Sequence, residues 1–230
     1  MNYPGDDGLA LIICATQSKT TVSDLFKSHS PGQSADTIPL FPLSALLFPG
    51  SRLELRIFET RYLRLIEQCM DTGGGFGVVR IEEGTEALHE PDARQPILAS
   101  VGTLVHVVDH AALPDGQKRV TVLAGRRFEL LGTSEHASRL LMGRVSWLQE
   151  ESGETIPAEL RHLRAMLSEF VESQAQGSIK IDLDSASEVS WWLARLVVRD
   201  VALGQRILSF NSPVERLRTI DEILSMQGAS

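Results

Sequence analysis

IPLFPLSALLFPGSRLELRIFETRYLRLIEQCM, residues 38–70, joins two extended segments, a Pro-Gly turn and one amphipathic helix in a fixed order. Leu53, Leu55 and Ile57 alternate with Arg52, Glu54 and Arg56, the period of a strand with one face buried and one face wet. Pro49-Gly50 punctuates the entry to that strand, and Pro39 and Pro42 keep the preceding apolar segment extended and out of any helix. From Phe58 the period changes. Tyr62, Leu65, Ile66, Cys69 and Met70 fall at i, i+3, i+4, i+7 and i+8 of one helical face, with Arg61, Arg64 and Gln68 opposite. Glu59 stands near the start of that helix, where a carboxylate meets the positive end of the helix dipole.

Outward from this stretch the chain stays mainly β up to Gln149. Phe76–Ile81, Val101–Asp109, Arg119–Leu123, Phe128–Thr133 and Leu140–Leu148 read as short strands separated by Gly, Pro and Asp turns, with Pro114-Asp115-Gly116 as a hairpin signal. Many short strands of this kind favour a closed or nearly closed barrel. The acidic run Glu150, Glu151 and Glu154 reads as a linker, after which helical periodicity takes over. Pro157 suits the first turn of a helix towards Glu172, and Ser185 with Glu188 has capping-box spacing. Ser212, Pro213 and Glu215 repeat the device before a stripe of Val214, Leu217, Ile220 and Leu224, so the C-terminal part reads as a small helical bundle. Residues 1–37 hold Ser, Thr, Gly and Pro clusters and one short helix signal at Val22–Lys27, the pattern of a loosely packed extension.

The segments PLFPL, LFPG and IFETRY, at 39–43, 47–50 and 57–62, resemble the N-terminal substrate-binding domain of the ATP-dependent Lon proteases. Further similarities follow in order: Val101-Gly102-Thr103 opening a strand, Asp115-Gly116 at a turn, and Gly125-Arg126-Arg127-Phe128, similar to a Gly-x-Arg-Phe signature. Gln205 with Ile207-Leu208, and Glu215-Arg216-Leu217, resemble the closing helices. The strength lies in the ordered set, which runs from Ile38 to Leu224. It implies an α+β fold: an N-terminal extension at 1–37, a β-rich PUA-like pseudobarrel with one inserted helix at 38–149, and a helical bundle at 150–230. It further implies a non-catalytic module in the cytoplasm that recognises unfolded or exposed polypeptide segments, as a proteolysis adaptor or weak chaperone with a protease or ATPase as partner. RNA-binding modules share the PUA-like architecture and supply the alternative.

Composition weighs against that alternative. A net charge of −8 and a pI near 5.3 oppose a general grip on phosphate backbones or anionic membranes, and the arginines are spread along the chain. Only Cys14 and Cys69 occur, and Cys69 fits the buried helix face, which favours a reducing compartment over a disulfide framework. The apolar run Leu9–Ala15 follows Asp6 and Asp7 rather than a basic region, the wrong charge for a signal peptide, and no run approaches the ~18 apolar residues of a membrane span.

Catalytic and cofactor chemistry finds no support. The 230 residues contain no G-x-x-x-x-G-K-[ST] loop, and Lys19, Lys27, Lys118 and Lys180 fall in no plausible catalytic helix. Gly73-Gly74-Gly75 and Gly77 follow a helix and precede a strand, the reverse of a phosphate loop, and read as a helix terminator. His106 and His110 lie about 13 Å apart along a strand, too far to share a metal ion, while His89 and His136 fall in loops without cysteine neighbours. No cofactor or metal is expected.

Three charged residues of the resembling motifs, Glu59, Arg61 and Arg127, read as struts fixing helix to barrel, since an arginine fork suits buried carbonyls and carboxylates; a substrate contact is the competing reading. Trp191 and Trp192 are adjacent on a helix, so both cannot point into the core. One packs inside and the other borders a groove, which makes the pair the candidate anchor for an extended peptide, against the alternative of two core-edge tryptophans.

Overall fold

The computed structural model describes residues 35–84, 96–149, 154–173 and 181–228. Most of the N-terminal extension, with Cys14, Lys19 and the helix signal at Val22–Lys27, lies outside the described residues, as do His89, Glu150, Glu151 and Lys180.

Seven strands form one sheet that closes on itself: β1 (Asp36–Leu43), β2 (Arg52–Ile57), β3 (Gly75–Glu83), β4 (Ile97–Leu98), β5 (Val101–Ala112), β6 (Lys118–Glu135) and β7 (Leu141–Trp147). β1 serves two partners in succession. Asp36–Pro39 runs antiparallel to β7, and Leu40–Leu43 runs parallel to β3 with Leu40 opposite Gly77. The ring β1-β7-β6-β5-β3-β1 is thereby complete, with β2 added along β6 and β4 along β3.

Two strands expected on either side of Gly125 are one continuous strand, β6. Its first twelve residues, Lys118–Glu129, ladder to β5 while the partner on the other side changes, β2 pairing Lys118–Leu123 and β7 pairing Phe128–Glu135. The glycine marks this exchange of partners rather than a break. The hairpin at Pro114-Asp115-Gly116 closes with Leu113 N–H on Gln117 O at 2.8 Å, Gly116 taking φ +77°.

Helix α1 (Thr60–Thr72) is inserted between β2 and β3 and buries Tyr62, Leu65, Ile66 and Cys69. It stops at Gly73, whose φ of +69° is the left-handed conformation that ends helices. The four buried side chains join Leu55, Ile57, Phe76, Val105, Val120 and Val122 in one core. A second core fills the barrel itself, with Leu40, Val79, Phe128, Leu141 and Val145. Phe128 has no exposed surface, burial worth about 1.5–3 kcal/mol. Glycines make its space: a Cβ on Gly77 or Gly102 would stand 2.7 or 2.5 Å from the ring's Cζ.

The C-terminal part is helical: a 3-10 turn (Ala158–Leu160), α2 (Arg161–Ser173), α3 (Ala186–Val197), α4 (Val201–Ser209) and α5 (Pro213–Gly228). Ser185 Oγ caps α3 on Glu188 N–H, and Asp200 Oδ1 caps α4 on Leu203 N–H at 2.7 Å. Glu188 does not return the bond to Ser185 in a reciprocal box; its Oε2 accepts from Asp182 N–H at 2.9 Å. Glu154, read from sequence as linker, is held in place. Its Oε2 accepts from Ser212 Oγ at 2.9 Å and from Val214 N–H at 3.4 Å, placing a carboxylate at the positive end of α5. The bundle core of Leu163, Leu167, Val189, Trp191, Leu193, Ile207, Leu217 and Ile220 takes in Phe48 and Val101 from the barrel.

Candidate recognition site at the seam between barrel and bundle

The seam is assembled from the loop between β1 and β2, the ends of β5 and β6, and three helices. Thr103 Oγ1 donates to Leu47 O at 2.8 Å and Gly50 N–H donates to Ala124 O at 2.8 Å, fixing the loop against the barrel. The fixed loop presents Phe48 to the bundle, its ring 6.0 Å from that of Trp191. Gly204 on α4 leaves room beside it, since a Cβ there would lie 2.5 Å from Leu46. Gln205 Nε2 reaches back to Val101 O at 2.8 Å.

Three arginines cement the junction. Arg127, 2% exposed on β6, donates through Nη1 to Leu208 O at 2.7 Å and Phe210 O at 2.8 Å, at the C-terminal end of α4. Arg216, with no exposed surface on α5, donates to the same Phe210 O at 2.9 Å and to Ser190 Oγ at 3.0 Å. Both guanidiniums lie over the Trp191 ring, at 3.9 Å for Arg216 and 5.2 Å for Arg127. Cations at the end of a helix also meet its negative pole. The third, Arg195 on α3, donates to Pro49 O and lies 4.3 Å over the Trp192 ring. Burial pushes its pKa down to about 10 while Glu188 opposes the shift, so it stays a cation at neutral pH. Gly50 (φ +78°) must be glycine twice over, because a Cβ there would also sit 2.6 Å from Arg195 Nη1.

Trp191 is therefore not a groove residue. It is 6% exposed and enclosed by Phe48, Arg127 and Arg216, which leaves no face for a peptide. Trp192 is half-buried at the rim beneath Arg195, beside the Pro49-Gly50 turn. The signature residues sit elsewhere. Glu59 is the N-cap residue of α1 but makes no capping bond; its Oε2 pairs with Arg61 Nη2 at 2.8 Å. Arg61 Nη1 donates to Arg139 O at 3.0 Å, tying the start of α1 to the turn between β6 and β7. Phe128 lies inside the barrel, edge-on to Trp147 with ring centroids 6.2 Å apart.

Arg195 was not singled out by the sequence, and Arg216 entered only within the Glu215-Arg216-Leu217 resemblance, yet spacing marks both. Arg216 stands three, four and seven residues before the buried Thr219, Ile220 and Ile223, on the inner face of α5. Arg195 follows Trp192 by three residues, within reach of its ring. Among the described residues, no group of three or more His, Cys, Asp and Glu side chains comes together to hold a metal ion. Burial lowers the pKa of His106, opposed by the backbone of Gly73 and Gly74. No described helix is long and apolar enough to cross a membrane.

The family model for the substrate-binding domain of ATP-dependent protease La (LON) matches residues 37–226, nearly the whole described fold. The chain belongs to the Lon substrate-binding domain family. It is 23% identical to the Lon protease of Amoebophilus asiaticus over 223 residues, covering 91% of this chain and 25% of that protein. With the Lon protease of Parabacteroides distasonis it shares 29% identity over 137 residues, 59% of this chain and 16% of that protein. The chain thus spans a quarter or less of the length of these two Lon proteases. Among solved structures, a Lon N-terminal domain protein from Xanthomonas campestris superimposes with a TM-score of 0.65 at 30% identity, covering 80% of this chain and 96% of that one. The N-terminal domain of a Mycobacterium avium complex Lon protease shares the fold at 14% identity, with a TM-score of 0.58 over 83% of this chain and 98% of that one. The Lon-type fold is α+β, as the sequence indicated.

Proposed function

We propose that this chain recognises extended, unfolded segments of other proteins, holding them without chemistry as an adaptor for proteolysis or as a weak chaperone. The observation that carries the reading is the substrate-binding-domain match over residues 37–226, which takes in barrel and bundle together. The contact surface assigned here is the seam's rim, where Trp192 lies half-buried beside Arg195 and the Pro49-Gly50 turn. An indole with a neighbouring cation offers apolar area and polar groups together, the combination that suits peptide backbones of varied sequence.

Amide NMR titration with a reduced, carboxymethylated and permanently unfolded protein tests it. The Trp192 indole N–H and the Gly50 amide are expected to shift, and Trp192→Ala should weaken the effect about tenfold, as loss of an interfacial aromatic does. A spectrum unchanged at high polypeptide concentration sinks the reading. Shifts confined to other surfaces move the site.

A further inference from the structure

β2 pairs with β6 along one side, and among the described residues no strand pairs with its other side. Backbone hydrogen-bonding groups point to alternate sides along a strand. Ala124 N–H donates to Ser51 O at 2.9 Å, which sets the parity: Leu53, Leu55 and Ile57 face β6, and the backbone groups of Arg52, Glu54 and Arg56 point out of the open edge. The side chains of Glu54 and Arg56 are exposed on the solvent face, Arg52 is half-exposed there, and Phe58 follows at 57% exposure. An open edge of this kind invites a further strand.

We propose that the open edge of β2 pairs antiparallel with the same edge of a second copy of this chain, with Leu55 on the two-fold axis. Parity requires residues of even number to stand opposite one another, which leaves few registers. Centring on Glu54 sets Glu54 against itself and Arg52 against Arg56; centring on Arg56 sets two arginines together. Centring on Leu53 would need Gly50, whose N–H is already spent on Ala124 O and whose φ of +78° turns the chain off the strand. Centring on Leu55 sets Glu54 against Arg56 twice and Arg52 against Phe58 twice. Those are two opposite-charge cross-strand pairs and two cation–aromatic pairs. The groups have capacity for this. Glu54 has its nearest described cation, Arg119, at 3.9 Å, and the side chains of Arg56 and Glu54 are 66% and 65% exposed. Arg56 holds Gln117 and Asp115 through Nε and Nη2, leaving Nη1 for a partner. The interface is isologous, so it closes at two copies.

Sedimentation equilibrium of the full chain tests it. Wild type should show a concentration-dependent dimer. Glu54→Arg and Arg56→Glu each turn two attractive cross-strand pairs repulsive, and each should raise the dissociation constant at least ~10-fold. Mixing the two variants should restore a heterodimer, because each cross-strand pair of positions 54 and 56 then again joins an arginine to a glutamate. A charge-matched mixture of Glu54→Arg with Arg52→Glu should not, since the arginine introduced at position 54 still faces Arg56 of the other copy. Unchanged circular dichroism confirms that the variants fold. A wild type monomeric at millimolar concentration, single variants that dimerise like wild type, or a first mixture no tighter than its components overturns the proposal. So does a β2 edge whose amides shift only on adding an unfolded polypeptide, which would assign the edge to a client by strand addition.

Discussion

Replacing Arg127 with methionine asks whether barrel and bundle unfold as one body. The change keeps an apolar stem of similar length and removes a guanidinium that is 2% exposed. Two short charge-assisted bonds go with it, to Leu208 O at 2.7 Å and Phe210 O at 2.8 Å, each worth about 1.5–3 kcal/mol. Two effects reduce the loss. Phe210 O keeps Arg216 Nη1 at 2.9 Å, and the cost of holding a cation away from water disappears. The expected net loss is about 2–4 kcal/mol, a large share of a typical domain's stability. Arg127→Lys keeps the charge, but an ammonium cannot reproduce a planar fork shared among Leu208, Phe210 and Asn211, so about half the loss should remain.

Equilibrium urea unfolding reads the outcome through two probes: tryptophan fluorescence, which includes Trp191 at the seam, and far-ultraviolet circular dichroism. In wild type the two transitions should coincide, and in Arg127→Met they should separate with a shallower denaturant dependence. A loss below ~0.5 kcal/mol with coincident transitions, the behaviour of an ordinary surface substitution, would refute the clamp.

Gly102→Ala should destabilise by at least ~1–3 kcal/mol in thermal melts, because its Cβ would fall 2.5 Å from Phe128 Cζ and 2.7 Å from Val78 O; adding Phe128→Leu relieves only the ring clash and should recover only part. Gly50→Ala should cost about 1–2 kcal/mol by chemical denaturation, from a φ of +78° and the approach of Arg195. The Cys69 thiol is buried and its pKa is pushed up from 9.0 to about 11, so its contribution is intact below pH 9 and is lost as pH rises towards 11; the pH slope of unfolding free energy there, worth up to ~3 kcal/mol in all, should flatten in Cys69→Ala. Burial lowers the pKa of His106, so the unfolded chain takes up the proton first and stability should fall as pH drops below 6.5; His106→Gln should reduce that acid slope in pH-dependent melts.

The strand, turn and helix of residues 38–70 were readable because each leaves a local period: two for Leu53, Leu55 and Ile57, then 3.6 for Tyr62, Leu65, Ile66 and Cys69. The caps at Ser185 and Ser212 were readable for the same reason, since both bonds span three residues. The unity of β6 was not, because it depends on β2 and β7 exchanging places along one edge, a pairing with no local signature. Arginine chemistry indicated that Arg127 would serve as a strut, but its acceptors lie 81 and 83 residues away, so the partner could not be named. Nor could local spacing decide which tryptophan of the adjacent pair turns inward. That depends on Phe48 arriving from the barrel, 143 residues before Trp191.

The opening stretch contributes to all three cores: Leu40 inside the barrel, Leu55, Ile57, Tyr62 and Ile66 beneath α1, and Phe48 within the bundle. Its Pro49-Gly50 turn starts β2 and also supplies the carbonyl that Arg195 holds. The side chains this segment leaves exposed include the outer row of β2, Phe58 and the outer face of α1, with Arg64, Gln68 and Met70. For the recognition proposed above, this segment offers rims and edges. Binding there presents backbone groups and single aromatic faces, which read extended shape in preference to side-chain identity. The same packing that makes the family legible therefore leaves shallow surfaces, which suits the recognition of extended chains proposed above.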